Sequence, residues 1–208
     1  MLMKPYKLSG DNIWFTSDTH WAHKNVIQFC NRPFSTIEEH DAKLIENWNS
    51  VVQKDDIVFH LGDFCFGGSS VWKYYRECLN GRIVLIKGNH DLKNLQESNI
   101  RLFEAVLPQL YINIDGRNVY LNHFPFLCFA HDNVEAYKDS YSIQAFGHIH
   151  TRSNMTGYDA YRTNYLYPTQ YDVGVDNNNY FPISWKELDS KIKEQIKDYY
   201  EQRDNRSI

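Results

Sequence analysis

Five times along this chain a short apolar run stops at an Asp, Asn or His. Ile13-Trp14-Phe15-Thr16-Ser17 leads into Asp18-Thr19-His20. Ile57-Val58-Phe59-His60-Leu61 leads into Gly62-Asp63, and Ile83-Val84-Leu85-Ile86 into Gly88-Asn89-His90-Asp91. Val119-Tyr120-Leu121-Asn122 leads to His123, and Ile143-Gln144-Ala145-Phe146 to Gly147-His148-Ile149-His150. Each run is too short for a helix and is bounded by turn residues, so each reads as a buried strand. In open α/β sheets the loops at the carboxyl ends of the strands form the ligand crevice. Side chains scattered between Asp18 and His150 can therefore converge.

These side chains share one chemistry. Carboxylates, imidazoles and an amide oxygen are all metal donors. A His beside a carboxylate, as in His90-Asp91, can be held in one tautomer and used as an acid or base. One such loop alone reads equally well as an Asx turn. His60 lies inside its strand and reads as a neutral, hydrogen-bonded structural histidine. His23 either reaches the site or sits on its loop. Arg32, extended by the following Pro33, either contacts a substrate phosphate or makes an ion pair.

The 208 residues suffice for one domain, 1–208, with a sizeable core. The formal net charge is -4 with both signs spread along the chain, so no basic track favours long nucleic acid. An acidic balance still admits a phosphate substrate, because bound metal ions dominate the local field. Four cysteines without a C-x-x-C pair read as reduced thiols in a cytoplasmic protein. Cys65, two residues after Asp63, reads as packing, with proximity to the site the alternative. No secretory h-region opens the chain, and no apolar stretch is long enough for a membrane span. The sequence gives no firm signal for oligomeric state.

Between the strands, Asn25 is a candidate cap for a short helix. Ser35/Glu38 and Thr36/Glu39 fit the capping-box spacing ahead of a helix whose Ile37, Leu44, Ile45, Trp48 and Val52 share one face. His40 falls off that stripe and reads as solvated. Ser69 or Ser70 caps a helix to about Leu79, and Leu92–Asn99 reads as another. Leu110–Ile114 and Arg117–Leu121 flank Asp115-Gly116, a strong hairpin signal. From Thr151 to Asp172 the chain is polar and rich in tyrosine, reading as a long surface hairpin, with a substrate or partner flap as the alternative. Ser184/Glu187 opens a last helix with Trp185, Leu188, Ile192, Ile196 and Tyr199 on one face. The tail from Gln202 is expected to fray.

The ordered set Asp18-x-His20, Gly62-Asp63, Gly88-Asn89-His90-Asp91, His123 and Gly147-His148-x-His150 closely resembles the calcineurin-like metallophosphoesterases, in particular their small single-domain prokaryotic or phage members. The resemblance implies an α/β fold, a four-layer αββα sandwich of two mixed sheets flanked by helices. It implies a first metal on Asp18, His20, Asp63 and His150, and a second on Asp63, Asn89, His123 and His148. Such a donor set suits Mn, Fe, Zn or Co better than Ca or Mg, with Mn favoured. The expected activity is hydrolysis of a small phosphate ester, a nucleotide among the candidates, by in-line attack of a metal-bridging hydroxide. Diesters are expected ahead of monoesters. His90, oriented by Asp91, would protonate the leaving group or bind phosphate, with His23 and Arg32 as substrate contacts. A phosphatase on the same chemistry is one alternative; a noncatalytic interaction module on the same fold is the other.

Overall fold

A computed structural model describes residues 6–152 and 155–204. Ser153 and Asn154 of the tyrosine-rich stretch, and residues 205–208 of the tail, lie outside them.

The apolar runs do form strands, and they fall into two five-stranded sheets. The first has the order β10 (Ile183–Ser184), β2 (Ile13–Thr16), β3 (Ile57–His60), β4 (Arg82–Ile86), β5 (Ala105–Leu107). The second has the order β1 (Tyr6–Leu8), β6 (Leu110–Ile114), β7 (Arg117–Leu121), β8 (Ile143–Phe146), β9 (Gln170–Asp172). Both are mixed. In the first, β2, β3, β4 and β5 run parallel and β10 antiparallel; in the second, only the β6–β7 hairpin is antiparallel. At its turn Asp115 and Gly116 have φ of 49° and 88°, the left-handed pair that a two-residue hairpin requires. The short strands β1, β5 and β10 carry too little alternation to be read from sequence.

Strand alternation divides the core in two. Ile13, Phe15, Phe59, Leu61 and Ile86 point between the sheets, where Ile112, Ile114, Val119, Leu121 and Ile143 meet them. Helix α7 (Trp185–Asp204) adds Trp185, Leu188 and Ile192 to that core. Val58, Ile83 and Leu85 point the other way, under α2 (Ile37–Val51) and α3 (Ser69–Cys78). Leu44, Trp48 and Val52 are the buried face of α2, and truncating Trp48 to Ala costs about 3–5 kcal/mol. The result is the expected α/β arrangement of two mixed sheets flanked by helices.

Caps explain where helices begin. Thr36 Oγ1 accepts from the Glu39 N–H, while the Glu39 carboxylate accepts from the Ser35 N–H. Ser184 and Glu187 close a reciprocal capping box. Asn25, ahead of α1 (Val26–Phe29), makes no side-chain cap, and Gly68 rather than a serine stands before α3. The helix expected over Leu92–Asn99 is split into α4 (Asp91–Asn94) and a 3-10 turn at Glu97–Leu102. After α5 (Val134–Tyr137) and β8, the tyrosine-rich stretch forms α6 (Gly157–Thr163) instead of a hairpin. Tyr161 and Tyr165 are exposed there, whereas Tyr171 is buried. The register then positions the site. Thr16, His60 and Leu85 lie side by side, so three ligand-bearing loops leave the first sheet at one level. A parallel bridge from Ser17 to Gly174 joins that edge to the matching edge of the second sheet.

Candidate metal centre

The loops after β2, β3, β4, β7 and β8 bring their His, Asp and Asn residues together at the carboxyl ends of the strands of both sheets. Asp18, His20, Asp63, His148 and His150 all have positive φ, between 47° and 73°. L residues rarely adopt that conformation, and it clusters where geometry is over-determined by function. Glycines make room. A Cβ on Gly88 would stand 2.3 Å from Asp63 Oδ1, and one on Gly147 would stand 2.4 Å from Asp18 Oδ2.

Among the described residues three groups of donor atoms form, each with its atoms within 4.8 Å of one another: Asp18, His20 and His150; Asp18, Asp63 and His123; and, behind the first, Cys30, His150 and Asp176. His20 Nε2 is 4.0 Å from Asp18 Oδ1 and 3.6 Å from Asp63 Oδ2. His150 Nε2 is 3.7 Å from Asp18 Oδ1, and His123 Nε2 is 3.5 Å from Asp63 Oδ2. Asn89 Oδ1 lies 3.0 Å from His123 Nε2. The His148 ring packs against His123 and Phe124, and its backbone N–H donates to Asp18 Oδ2. Asp18 Oδ1 and His20 Nε2 are buried without a hydrogen-bond partner. Such atoms carry a desolvation cost that a bound cation removes. The residues present therefore fit a metal centre.

Electrostatics agree. Burial first, then Asp18 and Asp91, pushes the Asp63 carboxyl up to about 8, a repulsion that a cation reverses. Burial tends to raise Asp18 too, but His150 and His123 outweigh it and hold Asp18 below its ordinary value. Burial, then His150, drives His20 well down; burial, then His123, takes His148 to about 4. Burial also lowers His123. These rings are neutral near pH 7, as metal ligands must be. His150 goes the other way: burial is outweighed by Asp18 and Asp176.

His90 stands at the mouth of this centre. Its Nε2 is 3.9 Å from Asp63 Oδ2, and its side chain is 37% exposed. Phe66 packs beside it, with ring centroids 4.8 Å apart, and His23 stacks on Phe66 at 3.7 Å. His23 thus reaches the site, lining with Phe29, Phe66, His90 and Arg152 a cleft of about 360 Å³. A larger hollow of about 470 Å³ over Tyr111 and Tyr120 contains no His, Asp or Glu, so size alone does not locate the chemistry.

Three expectations need correction. Asp91 does not orient the His90 ring: its carboxylate accepts from the N–H groups of Asp63, Phe64 and Gly88, tying two ligand loops together. Arg32 does not face the cleft: it is 4% exposed, and its guanidinium donates to Asp176, His40 and two backbone carbonyls. His40 is buried, not solvated, held between Arg32 and Asp41. Cys65 is packing, as read: it is 1% exposed, and burial raises its thiol pKa. Sequence reading missed Phe66 and Asp176. Asp176 carried the signal, because Tyr171–Val175 is a sixth strand-like run ending in a carboxylate. Phe66 carried none.

The calcineurin-like phosphoesterase superfamily domain matches residues 12–168, most of the chain and every loop just described except the one carrying Asp176. The chain belongs to this family. The gene 66 protein of Mycobacterium phage D29 is 31% identical over 219 residues, spanning 91% of this chain and 98% of that protein. An uncharacterized protein of Methanocaldococcus jannaschii, MJ1445, is 49% identical over 86 residues, 40% of this chain. That match spans about half of the archaeal protein, 49% of its length. In structure, the phosphoesterase is similar to a protein of unknown function from Aquifex aeolicus, AQ665, with a TM-score of 0.64 and 24% identity. The likeness covers 86% of this chain and 97% of that one, and shows the fold. The family is one of phosphoesterases, and the donor groups described above fit a metal-dependent member. Among the described residues no helix is long and apolar enough to cross a membrane.

Proposed function

We propose that this phosphoesterase is a dinuclear phosphodiesterase. Asp18, His20, Asp63 and His150 hold one divalent cation, and Asp63, Asn89, His123 and His148 hold the other. The observation that carries the reading is the reach of Asp63: its Oδ2 is 3.6 Å from His20 Nε2 and 3.5 Å from His123 Nε2, one donor from each of the two proposed positions. Imidazoles, carboxylates and one amide suit Mn, Fe, Zn or Co, and Mn is the favoured metal. When bound, two such ions supply Lewis acidity toward a phosphoryl oxygen and a water acidified to near neutral pH.

The chain's own residues then place the substrate and move a proton. His90 is held below its ordinary pKa by burial, then by His123 and Lys93, so it is neutral before substrate arrives. In that form its N–H donates a hydrogen bond to a phosphate oxygen. The phosphate anion in turn raises its proton affinity, bringing the ring toward the protonated form that can neutralise a leaving alkoxide. The preference for a diester follows the family resemblance. Beside the metals, Arg152 is the one permanent cation among the described lining residues of the cleft, because Arg32 is buried and engaged.

The test is to strip the protein with chelator, reload it with Mn, and assay bis(p-nitrophenyl) phosphate against p-nitrophenyl phosphate. Metal-dependent cleavage of the diester, absent from Asp63→Asn, is the expected result. Cleavage of the monoester alone makes the protein a phosphatase, and cleavage of neither by metal-loaded protein removes the diesterase reading.

A further inference from the structure

We infer that Arg32 and Asp176 are positioning residues: one buried guanidinium fixes His150 through Asp176 and fixes the Asp18–His20 loop directly, bracing one half of the metal centre. The inference rests on the metal-centre reading above.

Arg32 Nε donates to Asp176 Oδ1 at 2.9 Å and Nη2 to Asp176 Oδ2 at 2.7 Å, a bidentate pair. Asp176 Oδ2 also accepts from His150 Nδ1 at 2.6 Å. A ring whose Nδ1–H is given to a carboxylate presents the lone pair of Nε2, the atom that faces Asp18. Cys30 Sγ, 3.3 Å from the same Nδ1, closes the remaining side. The guanidinium reaches the neighbouring loop as well. Nη2 donates to the Asp18 carbonyl at 2.7 Å and Nη1 to the Thr19 carbonyl at 3.3 Å. Nη1 also donates to His40 Nε2 at 2.7 Å, so His40 carries its proton on Nδ1 and gives it to Asp41. The backbone of Asp18 and Thr19, which leads into His20, and the His150 ring, through Asp176, are thus tied to a single cation.

Cys30, His150 and Asp176 are themselves close enough to hold a metal. Arg32 argues against that use, since it already occupies both Asp176 oxygens and would stand against the added charge. The other half of the centre is held differently: the buried Asp91 carboxylate joins its Asp63 and Gly88 loops. His123 Nδ1 donates to the Leu61 carbonyl at 2.8 Å, and no described hydrogen bond joins Arg32 to Asn89, His123 or His148. Replacing a buried ion pair by apolar groups is often neutral for stability, so a pair placed here is explained better by geometry than by folding energy.

The experiment is calorimetric titration of Mn into chelator-stripped wild type, Asp176→Ala and Asp176→Asn, with turnover measured across Mn concentrations. Wild type is expected to bind two Mn. In Asp176→Ala one event weakens by about 10–100-fold while the other holds within about twofold, and turnover returns at high Mn. Asp176→Asn weakens the same event less, because its amide oxygen still accepts the His150 proton. If either variant fails to fold, Arg32→Met/Asp176→Asn removes both buried charges together and is expected to show the same one-sided loss. Equal weakening of both events, or no weakening in a wild type that binds two Mn, overturns the brace alone. A wild type that takes up no Mn overturns the metal-centre reading and the brace with it.

Discussion

The two halves of the metal centre are built by different means. Around Asp18, His20 and His150 the partners are buried side chains: Arg32 and Asp176, 144 residues apart, bonded to each other and to the ligands. Around Asn89 and His123 most partners are main-chain groups, such as the Leu61 carbonyl and the N–H of His90, which donates to Asp63 Oδ1, and the one buried side chain among them, Asp91, binds only backbone N–H groups. Each half has a buried and a partly open side: Asp18, His20 and His123 are at 0%, 2% and 0% exposure, whereas His150, Asn89 and His148 are partly open. The lesson is that ligands of both halves line the cleft, while the groups that hold them differ: a buried ion pair behind one half, main-chain groups and Asp91 behind the other.

The largest test of that contrast is Asp63, placed in both halves. Asp63→Asn is expected to lower kcat/KM on bis(p-nitrophenyl) phosphate at least about a thousandfold, equal to about 4 kcal/mol, and to reduce Mn content at both positions. Two retained Mn with a normal rate would dissolve the bridge between the halves. Next comes His90, which stands outside both. His90→Ala should leave metal content unchanged and slow an alkyl phosphodiester about a hundredfold or more, with a smaller loss on p-nitrophenyl esters, whose leaving group needs no proton. Wild-type rates on the alkyl ester would remove His90 from the reaction.

Gly147→Ala presses first on the Asp18 loop. Its Cβ would meet Ser17 Oγ at 2.1 Å and Asp18 Oδ2 at 2.4 Å. A stability loss of about 1–3 kcal/mol with weakened Mn uptake is expected, read by chemical denaturation and titration. An unchanged protein would mean the Asp18 loop yields freely.

The smallest effect concerns His60, buried behind the same loop. Its Nδ1 accepts from the Gly62 N–H and its Nε2–H donates to Thr19 Oγ1, so a second proton has no place. Burial takes its pKa to about 3, against 6.5 ordinarily. The unfolded chain therefore binds a proton that the folded one refuses. The contribution is intact above about pH 6.5 and is lost as pH falls toward 3, by about 1.4 kcal/mol per unit. Denaturation at pH 7 and pH 5.5 should differ by about 1–2 kcal/mol from this residue, and His60→Gln should flatten the slope. A slope equal to that of wild type assigns the acid sensitivity to other groups.

Much of this was legible in the chain itself. Strand-like runs ending in Asp, Asn or His announced the sheets, the ligand loops and their common edge, because period-2 burial and loop chemistry are local properties. The D-G hairpin and the capping boxes at Thr36 and Ser184 were legible for the same reason. The short strands β1, β5 and β10 were not, since a few residues at a sheet edge take their pairing from neighbours rather than from their own pattern. The helix at Gly157–Thr163 stood where a polar, tyrosine-rich stretch was read as a hairpin, a case of context overriding propensity.

What only the tertiary structure decided is which charged groups meet. By sequence Arg32 and His40 were free to be a phosphate contact and a solvated helix residue, and Asp91 a partner for His90. The fold instead buries Arg32 on Asp176, wedges His40 between Arg32 and Asp41, and spends Asp91 on three backbone N–H groups. The physical reason is that a buried charge must find its counter-charge and donors wherever the packed chain puts them, and that pairing depends on distance in space, not along the sequence.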